Sequence, residues 1–187
     1  LPQGVIDMLR LMPKDTPPMH ALRTAVSALG CYDTTADEDS MDAQRRKALR
    51  LIAQVPVITA FFHRIRQGKG LVHPMPSLGE AANFLYMIDG VKPPDEKVST
   101  MDMCYVLHAD HGMNASTFAA RVTIATLSDM YSAITSAIGT LKGPLHGGAN
   151  EGVIKMLQEV GSLDKVDAYV EECLAHKRKI KIGRAHV

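Results

Sequence analysis

The chain has 187 residues, 46% of them hydrophobic and 22% charged, with a formal net charge of +1. That balance fits an ordinary globular protein long enough to bury a core. It gives no reason to expect nucleic acid or an anionic membrane as partner, and no apolar run reads as a bilayer span. Three widely separated cysteines, Cys31, Cys104 and Cys173, fit a reducing, cytoplasmic setting better than a disulfide framework.

The patterning is helical throughout, with no convincing period-2 run, so the expected fold is all-α. Met19, Leu22, Val26 and Leu29 form the first stripe, stopped by Gly30. Residues Asp33 to Asp39 are polar and read as a loop. A long helix follows, with Leu49, Ile52, Phe62 and Ile65 as its apolar stripe and Pro56 as a kink. Ser77 and Glu80 make a capping box before Ala81, Phe84, Leu85 and Ile88, and Gly90 ends that helix. Ser99 and Asp102 suggest the start of the next.

Leu107-His108-Ala109-Asp110-His111-Gly112-Met113-Asn114 then makes a polar bend. Asn114 or Ser116 can cap a following helix through Arg121, Val122, Ala125 and Leu127. Two imidazoles, a carboxylate and an amide here suit a small anionic ligand. A metal site built from His108, Asp110 and His111 is the alternative, giving a non-catalytic metal-binding or interaction module. It is the weaker one, because the two histidines lack an intervening Glu and a second ligand pair, so no metal is expected. Near this bend, Met101, Met103, Met113 and Met130 read as adaptable packing rather than a soft-metal box.

Met130, Ile134, Ile138 and Leu141 line the next helix, with Ser128 as its expected cap. It leads into Lys142-Gly143-Pro144-Leu145-His146-Gly147-Gly148-Ala149-Asn150-Glu151. Gly143 and Pro144 stop the helix, and the two glycines after His146 let a ligand approach the backbone. Another helix begins there, with Val153, Ile154, Leu157 and Val160 on one face, its N-terminus towards the imidazole. In that position His146 is either a turn histidine bonded to a carbonyl or a neutral donor able to stabilise an enolate. Val166, Tyr169, Val170, Cys173 and Leu174 line the last helix. It ends in the cationic run His176, Lys177, Arg178, Lys179 and Lys181, which reads equally as a helix C-terminal charge cluster or as an attraction for phosphates.

His-Ala-Asp-His-Gly-Met-Asn-Ala-Ser-Thr-Phe and Gly-Pro-Leu-His-Gly-Gly-Ala-Asn, at this separation, resemble the citrate synthase family, including the 2-methylcitrate synthases. The similarity extends through Asn83-Phe84-Leu85-Tyr86-Met87 and back to Met19-His20-Ala21-Leu22-Arg23-Thr24, with Pro18-Met19-His20 as a local variant. The resemblance implies a multi-helical domain, present in part: residues 1–144 from a large domain and 145–181 from the start of a small one. It implies condensation of acetyl-CoA with oxaloacetate to give citrate and CoA, with propionyl-CoA as the alternative acyl donor. No permanently bound cofactor is implied, and a homodimer is. His146 is then the catalytic donor to the thioester oxygen, His111 binds oxaloacetate, and the cationic run would face CoA phosphates. Arg23 reads as a salt-bridge partner before a substrate ligand.

The family's catalytic aspartate and its Gly-Phe-Gly-His histidine have no counterpart here, so this stretch alone is expected to be inactive. The closing Ile182-Gly183-Arg184-Ala185-His186-Val187 coincides with one reading frame of a common sequencing adapter. Residues 182–187 are therefore expected to be a non-native tail, and His186 is not assigned to the site. Together with the opening Leu1, this suggests an internal fragment.

Overall fold

The computed structural model describes residues 1–109 and 112–180. Asp110, His111, the tail and His186 lie outside the described residues. The helices are α1 Gln3–Leu11, α2 Pro18–Gly30, α3 Met41–Arg66, α4 Glu80–Asp89, α5 Asp95–Ala109, α6 Ala115–Ile124, α7 Met130–Leu141, α8 Gly148–Val160 and α9 Val166–Ala175, with one 3-10 turn at Leu163–Lys165. No strand occurs among the described residues, and the all-α expectation holds. Residues Leu1–Ile138 form one compact unit, and the chain from Gly139 onward forms a second. This division falls just ahead of the 144/145 boundary expected for the domains.

In the first unit, α1 supplies Val5, Ile6 and Leu9 to a core shared with Val26 and Leu29 of α2 and Ile58, Phe61 and Phe62 of α3. The sequence reading passed over α1, although Val5, Ile6 and Leu9 have helical spacing. On α3 the expected stripe is half right. Phe62 is buried, whereas Leu49 and Ile52 are 68% and 55% exposed. The buried face of the first half runs instead through Ala43, Lys47 and Leu51. Lys47 was obscured by its charge. The residue is 1% exposed, and its ammonium donates to the carbonyls of Ala36 (2.8 Å) and Glu38 (2.7 Å), holding the loop before α3 to that helix.

α3 is also long and apolar enough to cross a membrane by length and composition, against the expectation of no such run. It packs against α1, α2 and α4, and it carries two bonded cations, Lys47 and Arg64, on its buried side. A core helix meets the same length and composition test, and this packing supports that reading. Arg64 donates to the carbonyls of Gly70 and Ile88, so it supplies the end of α4 with a donor. Gly90, with φ of 82°, completes that end; a Cβ there would stand 3.0 Å from the guanidinium.

Two expected caps move for clear reasons. α4 starts at Glu80 with Gly79 in the cap position, without a Ser77 cap, because Asn83 reaches back to bond both N–H and C=O of Met75 (2.8 and 2.9 Å). α5 starts at Asp95, since Pro94 accepts from Lys97 and Val98; Ser99 is already inside the helix. Asp129, rather than Ser128, caps α7 by accepting from the Ser132 N–H at 2.9 Å. α6 ends at Ile124, short of Leu127, where Leu127 turns to φ of 63°.

The loop of residues 33–39 ties three helices together. Asp33 accepts from the Tyr131 hydroxyl at 2.7 Å, pairs with Arg50 at 2.7 Å, and accepts from both the N–H and the hydroxyl of Thr35. Burial alone would raise its pKa, but the donors of Tyr131, Thr35 and Arg50 outweigh burial and hold the carboxylate well below its usual range. Gly30 lets α2 approach this point, since a Cβ would sit only 3.3 Å from that of Tyr131.

Tyr131→Phe should destabilise the chain by about 1–3 kcal/mol in urea unfolding, because a buried carboxylate loses a donor. The depressed pKa fixes the sign with pH. Asp33's contribution should be complete above its ordinary value of 3.8 and fade as the pH falls below it. Unfolding midpoints of the native chain should therefore drop more steeply across that acid limb than those of Asp33→Asn.

Candidate active site

Helix ends create both candidate segments. In the first unit, Asn114 caps α6 by accepting from the Thr117 N–H at 2.8 Å, as one of the two expected caps. His108 lies on the last turn of α5 with Nδ1 2.7 Å from the Cys104 carbonyl. A carbonyl can only accept, so Nδ1 carries the proton, and Nε2 is the ring nitrogen left for another partner. No group of three or more metal-ligating side chains is found among the described residues. Asp110 and His111 of the proposed His-rich site lie outside them. Neither exposed methionine of this region fits the core reading: Met103 and Met113 are 64% and 58% exposed, whereas Met130 packs on the core.

In the second unit, the segment between α7 and α8 folds into a compact turn. The His146 N–H donates to the Gly143 carbonyl at 2.9 Å, and the His146 carbonyl accepts from Ala149 at 3.0 Å. The backbone of His146 is thus held on both sides, directly ahead of the first N–H groups of α8. Its side chain is half-buried.

The two glycines serve the turn itself. Gly147 has φ of −59°, so neither unusual torsion nor left-handed geometry explains it. A Cβ there would lie 2.6 Å from the Leu141 carbonyl, and one on Gly148 would lie 2.8 Å from that of Gly143. Space for the returning backbone is the structural requirement, whatever a ligand also gains from it. Beyond the turn, Val153 and Val160 are half-buried, but Ile154 and Leu157 are 55% and 54% exposed. The expected four-residue stripe is therefore only partly used.

The cationic run is not a uniform patch. Arg178 pairs with Glu159 and Glu172, each at 3.1 Å, and lies over the Tyr169 ring. The tie gives Arg178 a structural task the run did not reveal, because its partners lie on α8 and α9. Lys177 adopts φ of 52° and lets the Arg178 N–H reach the Cys173 carbonyl at 2.8 Å, a left-handed helix end. His176 and Lys179 are exposed, and Lys181 lies outside the described residues. In the α9 stripe only Cys173 is fully buried, and Leu174 is 69% exposed. Arg23 is half-buried and shows no ion pair among the described residues.

The family model for the citrate synthase C-terminal domain matches residues 1–186. The chain belongs to the citrate synthase family. It is 51% identical over 186 residues to a citrate synthase of Deinococcus radiodurans, covering all of this chain and 49% of that relative. A 2-methylcitrate synthase of Mycobacterium tuberculosis is 44% identical over 184 residues, covering 98% and 46%. Among solved structures, the Thermoplasma acidophilum citrate synthase with carboxymethyl coenzyme A and oxaloacetate aligns with a TM-score of 0.87 at 32% identity, covering 97% of this chain and 48% of that one. The chain thus spans about half the length of the citrate synthases it matches.

Gly148→Ala tests the turn. In an unconstrained helix this change stabilises by about 1 kcal/mol, but here the added methyl meets the Gly143 carbonyl. We expect net destabilisation and faster hydrogen exchange at Ala149 and Asn150. Lys177→Gly should act in the opposite sense, stabilising by up to about 1 kcal/mol through relief of left-handed strain. Thermal melts of the two variants should move in opposite directions.

Proposed function

We propose that the full-length protein carrying this chain is a citrate synthase, condensing acetyl-CoA with oxaloacetate to give citrate and CoA. The observation that carries this reading is His146, set between a helix stop and the N-terminus of α8 in the family's Gly-Pro-Leu-His-Gly-Gly turn. The chemistry starts with loss of a proton from the methyl carbon of the thioester, which moves negative charge onto the thioester oxygen. A donor fixed at that oxygen stabilises the enolate most when the charge is greatest, which is the condition for catalysis. The enolate carbon then attacks the ketone carbon of oxaloacetate, and water cleaves the thioester to release CoA.

His146 is assigned as that donor and His111 as a ligand of oxaloacetate. The base and the group polarising the ketone are assigned to the remainder of the full-length protein. The reaction needs no metal and no resident cofactor, only CoA as a carrier on the substrate. A homodimer and a cytoplasmic setting belong to the same proposal. The second reading, 2-methylcitrate synthase, is favoured by the relative of that name at 44% identity. One methylene separates the two acyl donors and gives about 1–3 kcal/mol of discrimination in a pocket.

In the full-length protein, His146→Ala should lower kcat by at least about a hundredfold, in the range for loss of an enolate-stabilising donor. Oxaloacetate affinity should change little. His111→Ala should instead weaken oxaloacetate binding along with turnover. Calorimetric titration of oxaloacetate beside steady-state kinetics checks this division; identical behaviour of the two variants would defeat it. Comparing kcat/KM for acetyl-CoA and propionyl-CoA separates the two acyl donors.

A further inference from the structure

Apart from the histidine segments, the first unit contains a cleft of about 230 Å³ between α2, α3 and α4. Its floor is apolar, with Ile58 fully buried and Phe62 3% exposed, and Leu22 and Ile88 stand at its sides. Two nitrogen-bearing side chains, His63 and Arg66, also line it. We propose that this cleft binds a small amphiphilic monocarboxylate, its apolar body on Ile58, Phe62 and Leu22 and its carboxylate at Arg66 and His63.

The charge and the donor geometry select the ligand. Arg66 is anchored at Nε, which donates to the Lys14 carbonyl at 2.9 Å, and its guanidinium lies over the Phe62 ring at 5.9 Å. No carboxylate pairs with it among the described residues, so the two Nη groups of the anchored fork are open to a bidentate partner. Asp33 and Glu38 take Arg50 and Arg46 respectively, while Asp89 faces Lys97; none neutralises this site. His63 contributes the second donor. Its Nε2 lies 2.9 Å from the Gln67 amide nitrogen, which donates, so the ring proton resides on Nδ1. An anion is thus favoured over a cation or a neutral polar group, and the apolar floor favours a hydrocarbon body. Size sets the rest. The cleft has room for a short hydrocarbon chain.

The test uses the full-length protein and sodium hexanoate, with 1-hexanol and acetate separating the apolar from the charged contribution. Calorimetry with oxaloacetate at saturation should show one hexanoate bound per chain. Hexanol and acetate should each bind at least about tenfold more weakly. Arg66→Ala should weaken hexanoate by about tenfold or more, as expected for loss of a charge-assisted pair, and Leu22→Trp should abolish binding by filling the cleft. Arg66 is exposed, so its loss leaves the core intact even if Leu22→Trp does not fold. Absence of saturable hexanoate binding would overturn the proposal. So would displacement by oxaloacetate, or equal affinities for hexanoate and hexanol with no effect of Arg66→Ala.

Discussion

The first unit depends on a buried carboxylate. Asp33 lies in the loop after α2, yet it receives the Arg50 guanidinium from α3 and the Tyr131 hydroxyl from α7. A residue 98 positions away in sequence is thereby fixed to the same carboxylate oxygen, Oδ2, as Arg50. The pairing stands because the donors satisfy the charge that burial would otherwise penalise. Burial, together with this donation, pushes the Tyr131 phenol up, so it remains a donor throughout the ordinary pH range. Hydrophobic contact is nondirectional and would tolerate sliding of α7 along α2 and α3. The hydrogen bond sets the register of α7, and the small face of Gly30 allows the approach.

The other interior cations follow a different rule. Lys47 and Arg64 are buried, have no carboxylate partner among the described residues, and are held by main-chain carbonyls. Carbonyls at loop bends and helix ends lack partners of their own, so each cation satisfies groups that the fold would otherwise leave unbonded. This explains how α3 can carry charged residues on its inner face while meeting the composition of a membrane span. Its charges connect loops to the helix and are structural.

Helix content and the helix ends that flank the two histidine segments were legible because they depend on local rules. Gly90 after a periodic stripe, Asn114 ahead of one, and Pro144 after another each determine an end within a few residues of sequence. The errors share a cause in tertiary competition. Leu49 and Ile52 look like a buried stripe, but Lys47 occupies the inner face through carbonyls supplied by a separate loop. Ser77 has the spacing of a cap, yet Asn83 fixes the chain before α4 by a longer reach. Asp33 looks like one more polar loop residue until Tyr131 is beside it. Of the candidate site, the position of His146 before α8 was readable, while the pairing of Arg178 with Glu159 and Glu172 required the folded chain.

The turn around His146 meets a packing requirement and, under the proposed function, a chemical one. Gly147 and Gly148 must lack Cβ atoms for the backbone to fold back over Leu141 and Gly143, and that folding places the His146 carbonyl on the first turn of α8. A motif rich in glycine is therefore explained by local sterics before any ligand is invoked. Yet the same constraint restricts the histidine backbone and aligns it with a row of peptide N–H groups, which favours negative charge nearby. The enolate oxygen of the proposed reaction is such a charge, and it exists only briefly. Under the proposed function, a rigid turn facing that charge need not reorganise as the charge forms, so side-chain-free packing and the proposed chemistry would call for the same two glycines.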